Sequence, residues 1–448
     1  MRVDARSYDR GMSDTAASLL ERIDAALGVD GPAAAPASPP VPLPSRLATA
    51  ELALASVAAV CRAVRAPAVD EARIDPYRVS LAYRSDRLLR IDGVAPVGWA
   101  ALSGFWRTAD GWIRTHANYP HHARALRLGL ALAADSGAEE MRHVAAASTT
   151  THTVAAITAA GGLAVPVLPE DPTADEALRR TALVELLHLD GAPPRTEDDP
   201  GAPLAGIRVL DLTRVIAGPV CTRTLALLGA DVLRIDPPGV PESEWQHLDT
   251  GHGKRSAVLD ARSARFEELL ARADVVVLGY RPAALERLGL SPDALMRRHP
   301  GIVVAQLSAW GVDHPDRRGF DSLVQAESGI ALIESPDGER PGVLPAQALD
   351  HSAGYLLAAA VCAALRRQRT EGGTLRVRTS LRRVAAELLG MPRRTHPEPG
   401  HEIDPATHLQ SFMVDGREVT TVRSALPGLE FSTPRPWGRD EAAWRSER

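Results

Sequence analysis

The side chains able to do chemistry fall at a few places in the chain. Asp350 stands just ahead of a long apolar run, Asp321 and Glu327 precede it, and His314 and His351 lie nearby. A carboxylate can attack an electrophile, or at the start of a helix it can accept from orphan backbone N–H groups. On pattern alone the helix cap is the simpler reading of Asp350, and the helix N-terminus would also favour its ionised form. His116, Asn118, His121 and His122 form a second polar cluster. It reads as an ordinary loop, with no metal-ligand pattern beyond proximity. Cys61, Cys221 and Cys362 are scattered without a Cys-x-x-Cys pair, which excludes a disulfide framework and leaves no metal site to expect.

The elements that must position these groups are clearest from Gly206 to Pro237, GIRVLDLTRVIAGPVCTRTLALLGADVLRIDP. The apolar run through Val209, Leu210 and Leu212 predicts a strand, Thr213 to Pro219 a turn, the leucines near Leu225 a helix, and Val232 to Ile235 a second strand. This is a βαβ unit of the mononucleotide-binding kind. Its first turn lacks Gly-x-Gly-x-x-Gly, so it is not shaped for the pyrophosphate of NAD or FAD. Further strands at 257–259, 275–278, 302–307 and 375–379 alternate with helices at 266–271, 282–288 and 350–367. That rhythm predicts a parallel sheet with crossover helices.

Five blocks in order carry a family resemblance: the opening one, then GHGKRSAVLD at 251–260, ADVVVLGYRPAALERLGL at 273–290, RRGFDSLVQAESG at 317–329 and ALDHSAGYLLAAAVCAALRR at 348–367. Together they resemble the catalytic half of the class III (CaiB/BaiF-type) CoA-transferases, which also include 2-methylacyl-CoA racemases. The resemblance implies an α/β fold: a Rossmann-like parallel-sheet CoA domain with a smaller α+β domain. It places Asp350 at the catalytic aspartate, whose carboxylate passes through an aspartyl anhydride and an aspartyl-CoA thioester. An acid is required because only an acid forms an anhydride as activated as the thioester it replaces. Racemases of the family pair this aspartate with the histidine of a Gly-His-Asp sequence. Here the tripeptide is Gly319-Phe320-Asp321, and Phe320 cannot exchange a proton. Transferase therefore ranks above racemase, with a CoA-binding protein without turnover as a further alternative. Asp321 is read as structural and Glu327 as solvated.

CoA and acyl-CoA are implied as substrates rather than tightly bound cofactors. Their phosphates and adenine call for cations and flat contacts. By position in the family pattern, Arg214, Ile216 and Ala217 approach the ligand from the first turn. Gly279, Tyr280 and Arg287 line its adenine and phosphate end, Lys254 and Arg255 form the basic element, and Arg318 stands beside the active site. Pro237 replaces an arginine of formyl-CoA transferase. The segments FWRTADGWIRTHANYPHH and AAGGLAVPVLPEDP resemble the family's small domain, here placed before the CoA domain, as in a permuted chain or the remainder of a fusion. Ala50 to Ala66 reads as a worn copy of the helix at Asp350. Family members are interlocked dimers, so a homodimer is expected.

The chain of 448 residues has a net charge of −5 with acids and bases interspersed; no one-sided field calls for nucleic acid or an anionic membrane. Lys254 is the single lysine. No segment is expected to be long enough to span a bilayer, and a cytoplasmic protein is expected. The expected organisation is an N-terminal helix and linker over 1–45, a small domain with a degenerate family-like segment over 46–195, the CoA domain over 204–390 and an irregular tail over 391–448. The linker lies at Gly31 to Pro44 and the main boundary between Leu189 and Leu204. A hairpin is predicted around Ala109-Asp110-Gly111, with helices at 13–27, 46–64, 120–134 and 153–160.

Overall fold

The computed structural model describes residues 5–31, 40–194, 202–397 and 404–445. Alternating apolar residues build a seven-stranded sheet that buries a different cluster on each face. Across the sheet the strands are Glu185–Leu189, Thr374–Ser380, Val303–Ser308, Val275–Leu278, Arg208–Leu212, Asp231–Asp236 and Arg255–Val258. All neighbours are parallel except the first pair, where His188 stands opposite Leu375. Val209, Val275, Val277 and Val377 face a core shared with helices Thr49–Val64, Ala217–Leu227, Ala348–Glu371 and Leu381–Gly390. Leu210, Leu233, Val276 and Leu278 face helices Ala264–Ala271, Pro282–Arg287 and Pro292–Arg298. Side chains alternate between faces with period two, so a sheet covered on both sides needs near-continuous apolar strands.

The Ala348–Glu371 helix is the spine of the first layer. Over 18 of its residues the mean hydropathy is 1.4, and that window is fully buried. It is about 36 Å long and so is apolar and long enough to cross a bilayer, which corrects the expectation that no segment is; here the protein itself supplies the apolar surroundings. Two helices pack closely against it, Thr49–Val64 and Ala217–Leu227. A Cβ at Gly354 would stand 2.5 Å from the Ala217 carbonyl oxygen. The missing side chain lets the spine approach the start of the Ala217–Leu227 helix one turn beyond Asp350.

The small unit has its own core. The hairpin Gly104–Arg107 and Trp112–Thr115 pairs with Ala164–Pro166, and helices Pro120–Gly129, Ala138–Ala146 and Thr150–Ala159 cover it. Trp106, Ile113, Leu126, Met141 and Ile157 fill the space between them. The Ala138–Ala146 helix had no counterpart in the sequence reading, and the preceding helix ends at Gly129 rather than near 134.

Residues 46–195 are not one body. Thr49–Val64 belongs to the large core, Glu185–Leu189 is the edge of the large sheet, and the small unit lies between them in sequence. The tail is more regular than expected: Leu409–Val414 and Arg417–Val422 form a hairpin that Arg90–Ile91 extends. Asp415 and Gly416, with φ of 49° and 77°, make its turn. Residues 32–39 of the linker and 195–201 of the expected boundary lie outside the described residues.

Candidate active site

The turn after the Arg208–Leu212 strand is built from inside. Asp211, fully buried, accepts from the Thr213 N–H at 3.0 Å, the Thr222 hydroxyl at 2.6 Å and the Lys254 ammonium at 3.2 Å. One carboxylate thereby ties the strand end, the turn and the following helix together. Gly279 packs against the same turn, where a Cβ would come within 3.1 Å of Thr213.

A cavity of 340 Å³ opens above this turn, with walls from both units of the chain. The large sheet contributes Arg214, Val215, Ile216 and Ala217, then Gly279, Tyr280 and Arg281, Arg318 to Phe320, and Asp350. The small unit contributes Tyr119, His121, His122 and Leu163. Arg318 donates to the Gly161 carbonyl at 2.9 Å and bridges the two walls. A second cavity of 420 Å³ shares Leu163, Arg281 and Arg318 with the first.

Asp350 sits in the first turn of its helix, where Gln347 is the cap residue and makes no side-chain cap bond. The helix start is capped from elsewhere: the Asp350 N–H donates to the Asp321 carboxylate at 3.0 Å. Asp321 also receives the Gln325 amide, whose oxygen accepts from the Leu344 N–H at 2.9 Å. Burial raises the Asp350 pKa well above the usual carboxylate range, and the Asp321 and Asp86 charges add to the rise. Burial also raises Asp321, against the backbone and Gln325 hydrogen bonds that favour its charge. Of two facing carboxylates the better hydrogen-bonded one keeps its charge, so Asp321 stays ionised and Asp350 takes up the proton first.

Phe320 lies flat on His116, with ring centroids 3.7 Å apart and planes 3° from parallel. Burial lowers the His116 pKa to about 3, with the His122 and Arg114 charges adding to the effect. Burial likewise brings His122 down to about 4, helped by His121, Arg318 and Arg214. Both rings are neutral near pH 7. A neutral His122 can accept a hydrogen bond through its unprotonated ring nitrogen, while the lowered pKa makes it a weak base.

Seven of the residues singled out from sequence meet at this cavity: Asp350, Arg214, Ile216, Ala217, Gly279, Tyr280 and Arg318. Three do not. Lys254 is fully buried, its ammonium donating to Asp211, to the Thr222 hydroxyl at 2.6 Å and to the Pro219 carbonyl at 2.9 Å. Burial lowers its pKa to about 8, against the Asp211 charge that raises it; it is a strut of the turn, not a contact for a ligand. Arg255 holds Asp231 at 2.8 Å and the Ala443 carbonyl, pinning the C-terminal segment. Arg287 is exposed and faces Asp316 at 3.3 Å. Glu327, expected to be solvated, is half-buried and paired with Arg317.

The sequence reading did not count Tyr119, His121, His122, Arg281 and Phe320 as ligand contacts. Arg281 directly follows Tyr280 in the segment 273–290, and that adjacency is the available signal. The Tyr119 to His122 stretch lies in the segment resembling the family's small domain, but only the folded chain brings it to the cavity of Asp350.

The fold and cavity define an α/β protein with a nucleotide-type turn facing a buried carboxylate. Residues 204–414 match the model of CoA-transferase family III. It is 34% identical over 210 residues to the probable fatty acyl-CoA transferase Rv3272 of Mycobacterium tuberculosis, covering 42% of this chain and 53% of that protein. It is 33% identical over 171 residues to the succinyl-CoA:glutarate CoA-transferase of Mus musculus, covering 34% of this chain and 39% of the relative. An orthorhombic crystal structure of Rv3272 aligns with a TM-score of 0.39 at 33% identity, over 42% of this chain and 58% of that one. The chain thus spans about half or less of the length of these curated relatives.

Proposed function

We propose that this chain moves CoA from an acyl-CoA donor to a carboxylic acid through Asp350. The observation carrying this reading is the placement of Asp350 in the wall of a cavity that also contains the Arg214 to Ala217 turn, within the segment that matches the family. In the first step an ionised Asp350 oxygen attacks the thioester carbonyl, the C–S bond breaks and CoA thiolate departs, leaving a mixed anhydride. The thiolate then attacks the aspartyl carbonyl, releasing the donor acid and leaving an aspartyl-CoA thioester. An acceptor carboxylate attacks that thioester in turn, and the thiolate freed again takes the acceptor acyl group, restoring Asp350. Arg281 and Arg318 line the cavity and offer cations to the anionic parts of CoA.

The test is intact-protein mass after incubation with a panel of acyl-CoAs, with and without hydroxylamine. An adduct sensitive to hydroxylamine and lost in Asp350→Ala is expected; CoA binding with no adduct from any donor would end the covalent reading.

A second reading has one observation in its favour. Phe320 cannot move a proton, yet His121 and His122 face the same cavity from the small unit. Proton exchange at the carbon next to the thioester would then pair Asp350 with a histidine from elsewhere in the chain. Incorporation of deuterium into acyl-CoA in heavy water separates the two readings.

A further inference from the structure

Glu242 lies beneath the cavity turn, and no step above uses it. Its side chain is wholly shut off from solvent and gathers donors from five residues, among them its neighbour Ser243, whose N–H donates at 3.2 Å. The Tyr119 hydroxyl donates at 2.8 Å, Arg234 at 2.9 Å, the Val215 N–H at 3.2 Å, and Arg214 through two nitrogens at 3.3 and 3.4 Å. Arg234 is held on its other side by Asp236 at 2.7 Å, so the cluster is braced from the sheet.

Val215 is the feature this cluster explains. Its φ is 71°, a left-handed conformation that a β-branched side chain resists and that persists only when its surroundings enforce it. It lies within four consecutive cavity residues, Arg214 to Ala217, and Tyr119 lines the opposite wall. One carboxylate therefore reaches the strained residue, the arginine before it and the small unit at once.

We infer that Glu242 is a positioning residue for CoA: it holds Val215 in its left-handed turn and ties that turn to Tyr119, setting the separation of the two cavity walls. The inference rests on the CoA-transferase reading of the cavity. It also limits Arg214, whose guanidinium is already taken up by Glu242 and by the Pro241 carbonyl at 2.7 Å.

The test compares wild type, Glu242→Gln, the double variant Glu242→Gln with Val215→Gly, and Tyr119→Phe. Desulfo-CoA affinity is read by calorimetry and adduct formation by mass, with circular dichroism as the check of folding. Glu242→Gln should weaken affinity or slow adduct formation at least tenfold. Glycine adopts a φ near 70° unaided, so the double variant should regain at least threefold. A carboxylate that merely balanced the two arginines would give no such rescue, and that result overturns the inference. If Glu242→Gln does not fold, Tyr119→Phe decides: a threefold or greater loss of affinity supports the tether, and wild-type affinity overturns it. Wild type that neither binds desulfo-CoA nor forms an adduct defeats the CoA reading and this inference together, whereas the other negative results defeat the inference alone.

Discussion

The backbone N–H of Asp350 donates to the Asp321 carboxylate at 3.0 Å, so the group that caps the spine helix is also a negative charge that raises the proton affinity of the proposed nucleophile. Capping fixes where Asp350 stands, while the charge makes Asp350 harder to ionise. One residue sets both the geometry and the proton affinity of another.

Adduct formation at Asp350 should therefore show an acidic limb displaced upward. Attack needs the ionised form, and the folded pKa is raised by burial, then by Asp321 and Asp86; the rate must fall as pH drops through that raised value. Asp321→Asn removes the like charge but keeps an oxygen that can accept from the Asp350 N–H. Its limb should move to lower pH in a single-turnover pH profile. A limb that stays in place would show that burial alone sets the value.

Stability should move in the opposite sense to activity. A carboxyl with a raised folded pKa stabilises fully below its ordinary range, and that contribution is lost as pH rises through the raised value. Asp350→Asn should thus melt about 1–3 °C higher than wild type at pH 7. The difference should vanish below about pH 4. Differential scanning calorimetry at several pH values checks both the sign and the window.

Gly354 should tolerate no side chain. A Cβ there meets the Ala217 carbonyl oxygen at 2.5 Å, a backbone atom that cannot swing aside. Gly354→Ala is expected to cost about 1–3 kcal/mol through overpacking and to slow adduct formation, since the helix bearing Asp350 is pushed from the turn. Urea denaturation alongside mass-adduct rates would measure both.

The basic residues should divide by location. Arg318→Ala and Arg281→Ala remove cations from the cavity lining, and CoA affinity should fall about tenfold, less at high salt. Arg287→Ala leaves the cavity lining untouched and should change affinity less than about twofold. Calorimetry at two salt concentrations distinguishes the groups.

The large sheet was legible because most of its parallel strands carry a short apolar run followed by a helix or turn, a local signal. Glu185–Leu189 was not, because ELLHL is short and its partner is Thr374–Ser380, far along the chain. The C-terminal hairpin did carry a signal: Asp415-Gly416 between alternating residues is a two-residue turn pattern. Asp350 could be placed from its blocks, but pattern offered it the role of cap, which the fold gives to Asp321 instead. The small-unit wall was marked only by its resemblance to the family's small domain, since nothing local in Tyr119 to His122 records that the chain returns them to Asp350.

Tyr119, His122 and Asp350 share one cavity and one polypeptide. Where two walls belong to separate molecules, dilution pulls a site apart; where they are joined covalently, each meets the other at a fixed effective concentration of about millimolar or more, whatever the amount of protein. The contact between these walls is thus an intramolecular equilibrium, insensitive to expression level. A lesion in either wall is carried by the same molecule as the other.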